Sequence, residues 1–172
     1  MPTYHVFAQG VAFASAKSMV DAFQSAAGIN TLRMWRIYAF NNLVTSVTGV
    51  VTTMVVRTQN TAVRGGSLVA MQRHRRIDPL PGAAVTCGTN RTVAAGTTVR
   101  RFLWINDEPA IANSSPDEWE LSVANAEVWS SGYADSNVEP LACVPGVAQG
   151  IDLQQSGSSA VGTMDAELEF TL

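Results

Sequence analysis

The residues best able to do chemistry fall into two groups of opposite sign. Arg73, His74, Arg75 and Arg76 are the densest run of charge in the chain. Such a run can grip phosphate or an acidic patch on a partner protein, because guanidinium forks make charge-assisted bidentate contacts. No aromatic or glycine-rich companions surround the run, which disfavours phosphate, and a solvated loop at a strand end is the plain alternative. Asp107, Glu108, Asp117, Glu118 and Glu120 sit around Pro109 and Pro116. Paired carboxylates held across a cleft can hydrolyse glycosides. Acids beside prolines are ordinarily solvated turn residues, and charge complementarity with Arg73, Arg75 and Arg76 of a neighbouring copy is a further use for them. The alternating Asp165, Glu167 and Glu169 must likewise find cations or stay in water.

Other chemistries lack their residues. Only His5 and His74 could serve as an imidazole base, and neither lies near a nucleophile motif, so a Ser/His/Asp triad is unsupported. The same two histidines, far apart in sequence, give no transition-metal spacing. Gly132 to Asn137 has some oxygen donors but too few for calcium, and reads as a turn. Trp35, Trp104 and Trp129 lie in apolar strand patterns. Trp119, flanked by Glu118 and Glu120, is the one tryptophan placed to form an exposed sugar platform. No cofactor is implied.

The elements that must position these groups read as strands. From Gly162 to Leu172 one face carries Gly162, Met164, Ala166, Leu168, Phe170 and Leu172, and the other Thr163, Asp165, Glu167, Glu169 and Thr171. A period of two is the pattern of a half-buried strand. Gly150 to Gln155 forms another, and the polar Ser156 to Ser159 between them predicts a terminal hairpin. Tyr4 to Phe13 reads as a strand interrupted at Gly10. Ser18 to Ala27 fits a short helix, with Gly28 as its cap, or a strand. Thr31 to Phe40 is apolar on both faces, with Leu32, Met34, Tyr38 and Phe40 on one and Trp35, Ile37 and Ala39 on the other. Leu43 to Thr58 is a Val/Thr run with Gly49 at a bend or bulge. Ser67 to Gln72, Thr97 to Ile105, Trp119 to Ala124, Glu127 to Trp129 and Val138 to Val144 complete the set, while Arg73 to Gly82 is irregular because of Pro79 and Pro81. Eight or nine strands without a crossover helix predict one all-β domain over residues 1–172, an antiparallel β-sandwich, jelly roll in type, with at most one short helix.

Composition bounds the partners. The 172 residues suit one domain, the net charge of −3 excludes a global polyanion binder, and the charged share of 15% leaves a low-charge surface suited to burial against copies or partners. Of the 11 basic residues only Lys17 is not arginine, and arginine is the cation that interfaces favour. Cys87 and Cys143 match no metal or redox spacing and read as two buried free thiols, although one pair could form under oxidation. No signal-peptide pattern or membrane-length apolar run is present, so a cytoplasm is the expected place of synthesis, with neither nucleic acid nor membrane as a partner.

Several stretches taken together are similar to a known group. Val99-Arg-Arg-Phe-Leu-Trp-Ile-Asn-Asp-Glu-Pro-Ala110, Val128-Trp-Ser-Ser-Gly-Tyr133, Val138-Glu-Pro-Leu141, Ser156-Gly-Ser-Ser-Ala-Val-Gly162 and Glu169-Phe-Thr-Leu172, with Arg33 to Asn42, resemble small β-rich structural proteins of tailed bacteriophages. The resemblance runs from about Tyr4 to the end and rests on framework motifs. It implies a non-enzymatic virion component, a capsid decoration or cement protein made in the host cytoplasm. Its partners would be the major capsid protein and sister copies, a homotrimer being favoured. The resemblance carries no contact residues; those expected from their own charge and exposure are Arg73, His74, Arg75, Arg76, Asp107, Glu108, Asp117, Glu118 and Trp119. The alternative is a receptor- or glycan-binding module of a fibre or tail, built around Trp119.

Overall fold

The structure is a computed structural model that describes residues 1–41, 51–59, 65–92, 96–105, 127–131, 139–156 and 162–172. Twelve strands are present among them and no helix: β1 (Thr3–Ala12), β2 (Ser18–Gln24), β3 (Leu32–Asn41), β4 (Val51–Gln59), β5 (Ser67–Val69), β6 (Met71–Arg73), β7 (Val85–Thr89), β8 (Thr98–Ile105), β9 (Glu127–Ser130), β10 (Leu141–Cys143), β11 (Gln149–Gln155) and β12 (Thr163–Thr171). They form two antiparallel sheets that pack face to face as a β-sandwich. The first sheet runs β10-β3-β12-β1-β6, with β9 also on β3, and the second β5-β7-β2-β11-β4-β8.

The alternation in β12 becomes the central seam of the first sheet. Its inward residues sit in cross-strand rows, Tyr4 and Met34 on either side of Phe170, Val6 and Ile37 beside Leu168, Ala8 and Ala39 beside Ala166. All nine side chains are buried. The opposite face carries the acids, and each is answered. Asp165 accepts a hydrogen bond from the Gly10 amide at 2.8 Å, Glu167 lies 3.9 Å from His5 Nδ1, and Glu169 is 3.6 Å from Arg36. Gly10 interrupts β1 as expected. It adopts φ 63° in a bulge between Ala8 and Val11, a conformation a side chain would strain.

Four expectations are corrected. The predicted terminal hairpin does not exist: β11 pairs with β2 and β4, and β12 with β1 and β3, so the two strands belong to opposite sheets. A period of two says which face of a strand is buried, not which layer the strand joins. In β3 a register shift makes Trp35 an extra residue between Met34 and Arg36, so Leu32, Met34, Ile37 and Ala39 all face the core while Trp35 and Tyr38 face outward. Trp35 Nε1 donates to Thr171 Oγ1 at 3.0 Å across that irregularity. Ser67 to Gln72 is two short strands, β5 in the second sheet and β6 in the first. Val138 to Val144 contributes only the three residues of β10.

Residues 18–24 take the strand form of the two readings. The second sheet supplies Val20, Ala22, Val56, Cys87, Ile151 and Leu153 to the core. Cys87 and Cys143 are buried free thiols. Gly49, Trp119 to Ala124 and Gly132 to Asn137 lie outside the described residues.

Candidate functional site

The basic run lies at one end of the sandwich, where the segment following β6 turns back towards β7. Arg73 ends β6, and its Nη1 donates to the Asp78 carbonyl at 2.8 Å. Arg75 clasps the buried Asp78 carboxylate with Nη2 at 2.9 Å and Nε at 3.4 Å. Tyr4 Oη donates to the Pro79 carbonyl at 2.9 Å, and burial raises that phenol above its ordinary pKa. The His74 amide donates to the Thr3 carbonyl at 3.0 Å. Two of the three arginines therefore shape their own loop. The shaped loop in turn holds Arg76, Ile77 and Leu80 out to solvent.

Neighbouring loops add to that end. The loop after β2 presents Ile29, and the one after β10 presents Val144 and Val147, with the Gly146 amide donating to the Gly28 carbonyl at 3.0 Å to tie the two together. Ile29 and Ile77 are each 85% exposed and Leu80 71%, values an isolated soluble surface has no reason to gather at one end. Between the loops is a cleft of about 460 Å³ lined by Pro2, Tyr4, Gln24, Ile29, Leu80 and Leu172, among others. Tyr4 is the one ionisable side chain among its described lining residues. The arrangement suits contact, since the described lining is largely apolar.

The two histidines, distant in sequence, meet on the outer face of the first sheet with ring centroids 5.5 Å apart and edge to face. No three His, Cys, Asp or Glu side chains are placed to hold a metal among the described residues. Asp107, Glu108, Asp117, Glu118 and Trp119 lie outside the described residues, so the structure does not bring them to the basic run or keep them from it.

A second constellation escaped the sequence reading altogether. One outward row of the second sheet crosses all six strands as Leu68, Gly88, Asp21, Asp152, Arg57 and Thr98. Asp21 and Asp152 face each other directly and are both fully buried. Arg91, also buried, reaches Asp21 Oδ1 at 3.0 Å and the Cys87 carbonyl at 3.1 Å. Its own amide donates to Ser18 Oγ at 3.2 Å. Arg57 is engaged by the Gln154 amide oxygen and lies 3.4 Å from the Gly96 carbonyl. Neither oxygen of Asp152 accepts a hydrogen bond, and the amide of buried Gln59, close enough to both carboxylates to favour their charged forms slightly, makes none either. Burial pushes Asp21 up to about 7 against the pull of Arg91. Burial and then the charge of Asp21 push Asp152 up to about 7 against Arg57. The sequence shows one carboxylate within each of β2 and β11, but no local signal that the two stand opposite each other.

No family model matches this chain, and comparison with curated proteins and with solved structures found no match.

Proposed function

We propose that this protein is a non-enzymatic structural component of a tailed-bacteriophage virion, a capsid decoration or cement protein. The loop-bearing end of the sandwich would seat against the major capsid protein and sister copies. The observation that carries the reading is the exposure of Ile29 and Leu80, from two loops that line one largely apolar cleft, with exposed Ile77 on the same loop as Leu80 and the loop of Val144 and Val147 tied to that of Ile29. Apolar surface is worth roughly 25 cal/mol per Å² when removed from water. Contacts too weak singly to hold a subunit become strong when repeated by symmetry, and binding only the assembled shell stabilises that shell by mass action. The resemblance of the framework segments to phage structural proteins supplies the virion context.

The test is solution mass by light scattering on a sizing column at two ionic strengths, for the parent and for an Ile29→Asp, Leu80→Asp double variant. A parent trimer that the double variant reduces to monomer, with melting unchanged, is the expected result. A parent that is monomeric at both salts, and whose binding to assembled shells the double variant leaves intact, overturns the reading.

One observation favours a second reading, a receptor- or glycan-binding module. On the outer face of the first sheet Phe7 and Phe40 stack across β12 with centroids 6.0 Å apart and 25° between planes, beside the carboxylate of Glu167. Aromatic faces of this kind accept sugar rings. A glycan array with no binder for the parent protein rejects it; a binder lost on Phe7→Ala supports it.

A further inference from the structure

We infer that Asp21 and Asp152 hold one proton between them across the β2–β11 pair, and that this proton is a latch on the second sheet which rising pH releases. Geometry carries the argument. The two residues are direct partners in the antiparallel register, so their Cα atoms are separated by only about 5 Å and their side chains leave the same face. Asp21 is 0% and Asp152 1% exposed. Asp21 has an arginine, a serine hydroxyl and a backbone amide around it, whereas neither oxygen of Asp152 makes a hydrogen bond, although the Gln59 amide stands near it. A buried carboxylate left this way is costly, and adding a proton is the ordinary remedy. The proton also turns Asp152 into a donor, in a site where Asp21 and the unpartnered Gln59 Oε1 are acceptors.

The charges facing the pair are Arg57 from β4 and Arg91 from the segment after β7. The Cys87 thiol, beneath Arg91 on β7, is kept neutral by burial. Arg100 and Arg101 of β8 are exposed. Arg91 is the ion-pair partner of Asp21, whereas Arg57 is engaged by the Gln154 amide oxygen and the Gly96 carbonyl, so Asp152 is the carboxylate that a proton neutralises. Burial raises the pKa of both acids, which agrees with protonation at the pair.

Linkage fixes the sign. The folded state binds this proton more tightly than the unfolded chain, whose aspartates titrate near 3.8, so the stabilisation is complete in acid and is lost as pH rises towards about 7. The test is thermal melting of the full chain, parent against Asp152→Asn, from about pH 4.5 to about pH 8. The parent's melting temperature should fall by several degrees relative to the variant's across that range, with the variant the more stable at the alkaline end. Parallel curves overturn the proposal. Where the variant does not fold, infrared spectra of the aspartate-labelled parent decide: a protonated-carboxyl band present at about pH 6 and gone in alkali supports the latch, and its absence at about pH 6 overturns it. A melting temperature raised by calcium and lowered by a chelator would put a metal ion where the proton is placed, and would also overturn it.

Discussion

Arg91 lies over Gly88 in the space where a side chain would begin: a Cβ added to Gly88 would stand 2.3 Å from Arg91 Nε and 2.5 Å from its Cζ. Only a glycine at that point of β7 lets the guanidinium pass over the sheet to Asp21. Removing one partner of a buried ion pair costs about 3–5 kcal/mol, so Arg91→Met should lower stability by that amount in urea denaturation. Gly88→Ala, by displacing the same arginine, should cost a comparable part of it. The added Cβ also meets the Ser67 carbonyl oxygen at 2.5 Å, so the double variant should lose less than the sum only by the part that the two changes share through Arg91, and fully additive losses would show that the Ser67 contact alone sets the cost at Gly88.

The seam strand gives a harsher test. Leu168 and Phe170 are 0% exposed at the centre of the first sheet, so Leu168→Asp or Phe170→Asp should prevent folding, each placing a charge in the core at a cost of several kcal/mol. Glu167→Gln, on the opposite face of the same strand, should shift stability by no more than about 0.5 kcal/mol. Far-ultraviolet circular dichroism and melting distinguish the two outcomes.

Reactivity towards thiol reagents should report unfolding. Burial pushes the Cys143 thiol up to about 12, and Cys87, deeper and near the carboxylate of Asp21, is pushed higher still. Thiolate is the reactive species. Neither cysteine should label at about pH 8 in the native protein, and both should label in step with the denaturant transition.

The loop carrying Arg76, Ile77 and Leu80 hangs on Tyr4. Tyr4→Phe deletes the bond to the Pro79 carbonyl and should cost about 1 kcal/mol of stability. The sharper readout is limited proteolysis, which should cut between Arg75 and Gly82 faster in the variant, and association should weaken in parallel.

How much of this could be read from residues alone varies with the range of the interaction. The burial pattern of β12 and the break at Gly10 are local, set by period and by backbone conformation, and both were legible. The sheet membership of β11 was not, because Ser156 to Ser159 look alike whether a strand returns beside its predecessor or crosses to the other layer. Trp35 misled the assignment of the β3 faces, since one inserted residue inverts every position beyond it. β7 went unnoticed because Val85–Thr89 offers only Val85 and Cys87 as apolar residues. Of the basic run, position was legible, but not that Arg73 and Arg75 are spent on Asp78. The acid pair was invisible for a different reason. Asp21 and Asp152 each look like an outward polar residue, and nothing in either strand shows that 131 positions later the other stands opposite, or that this outer face is shut off from water.

The place of β12 also sets a timetable. It follows every other described strand in sequence, yet it lies between β3 and β1, which are among the earliest of them. Until it arrives, two early strands stand in the nascent chain with open edges and half-exposed apolar rows, and the loop to be closed runs from β1 to β12. Such long-range closure is slow. Folding of the first sheet therefore waits for β12, and loss of even the residues from Leu168 onward would leave a product that collapses without a partner for Tyr4, Val6, Met34 and Ile37.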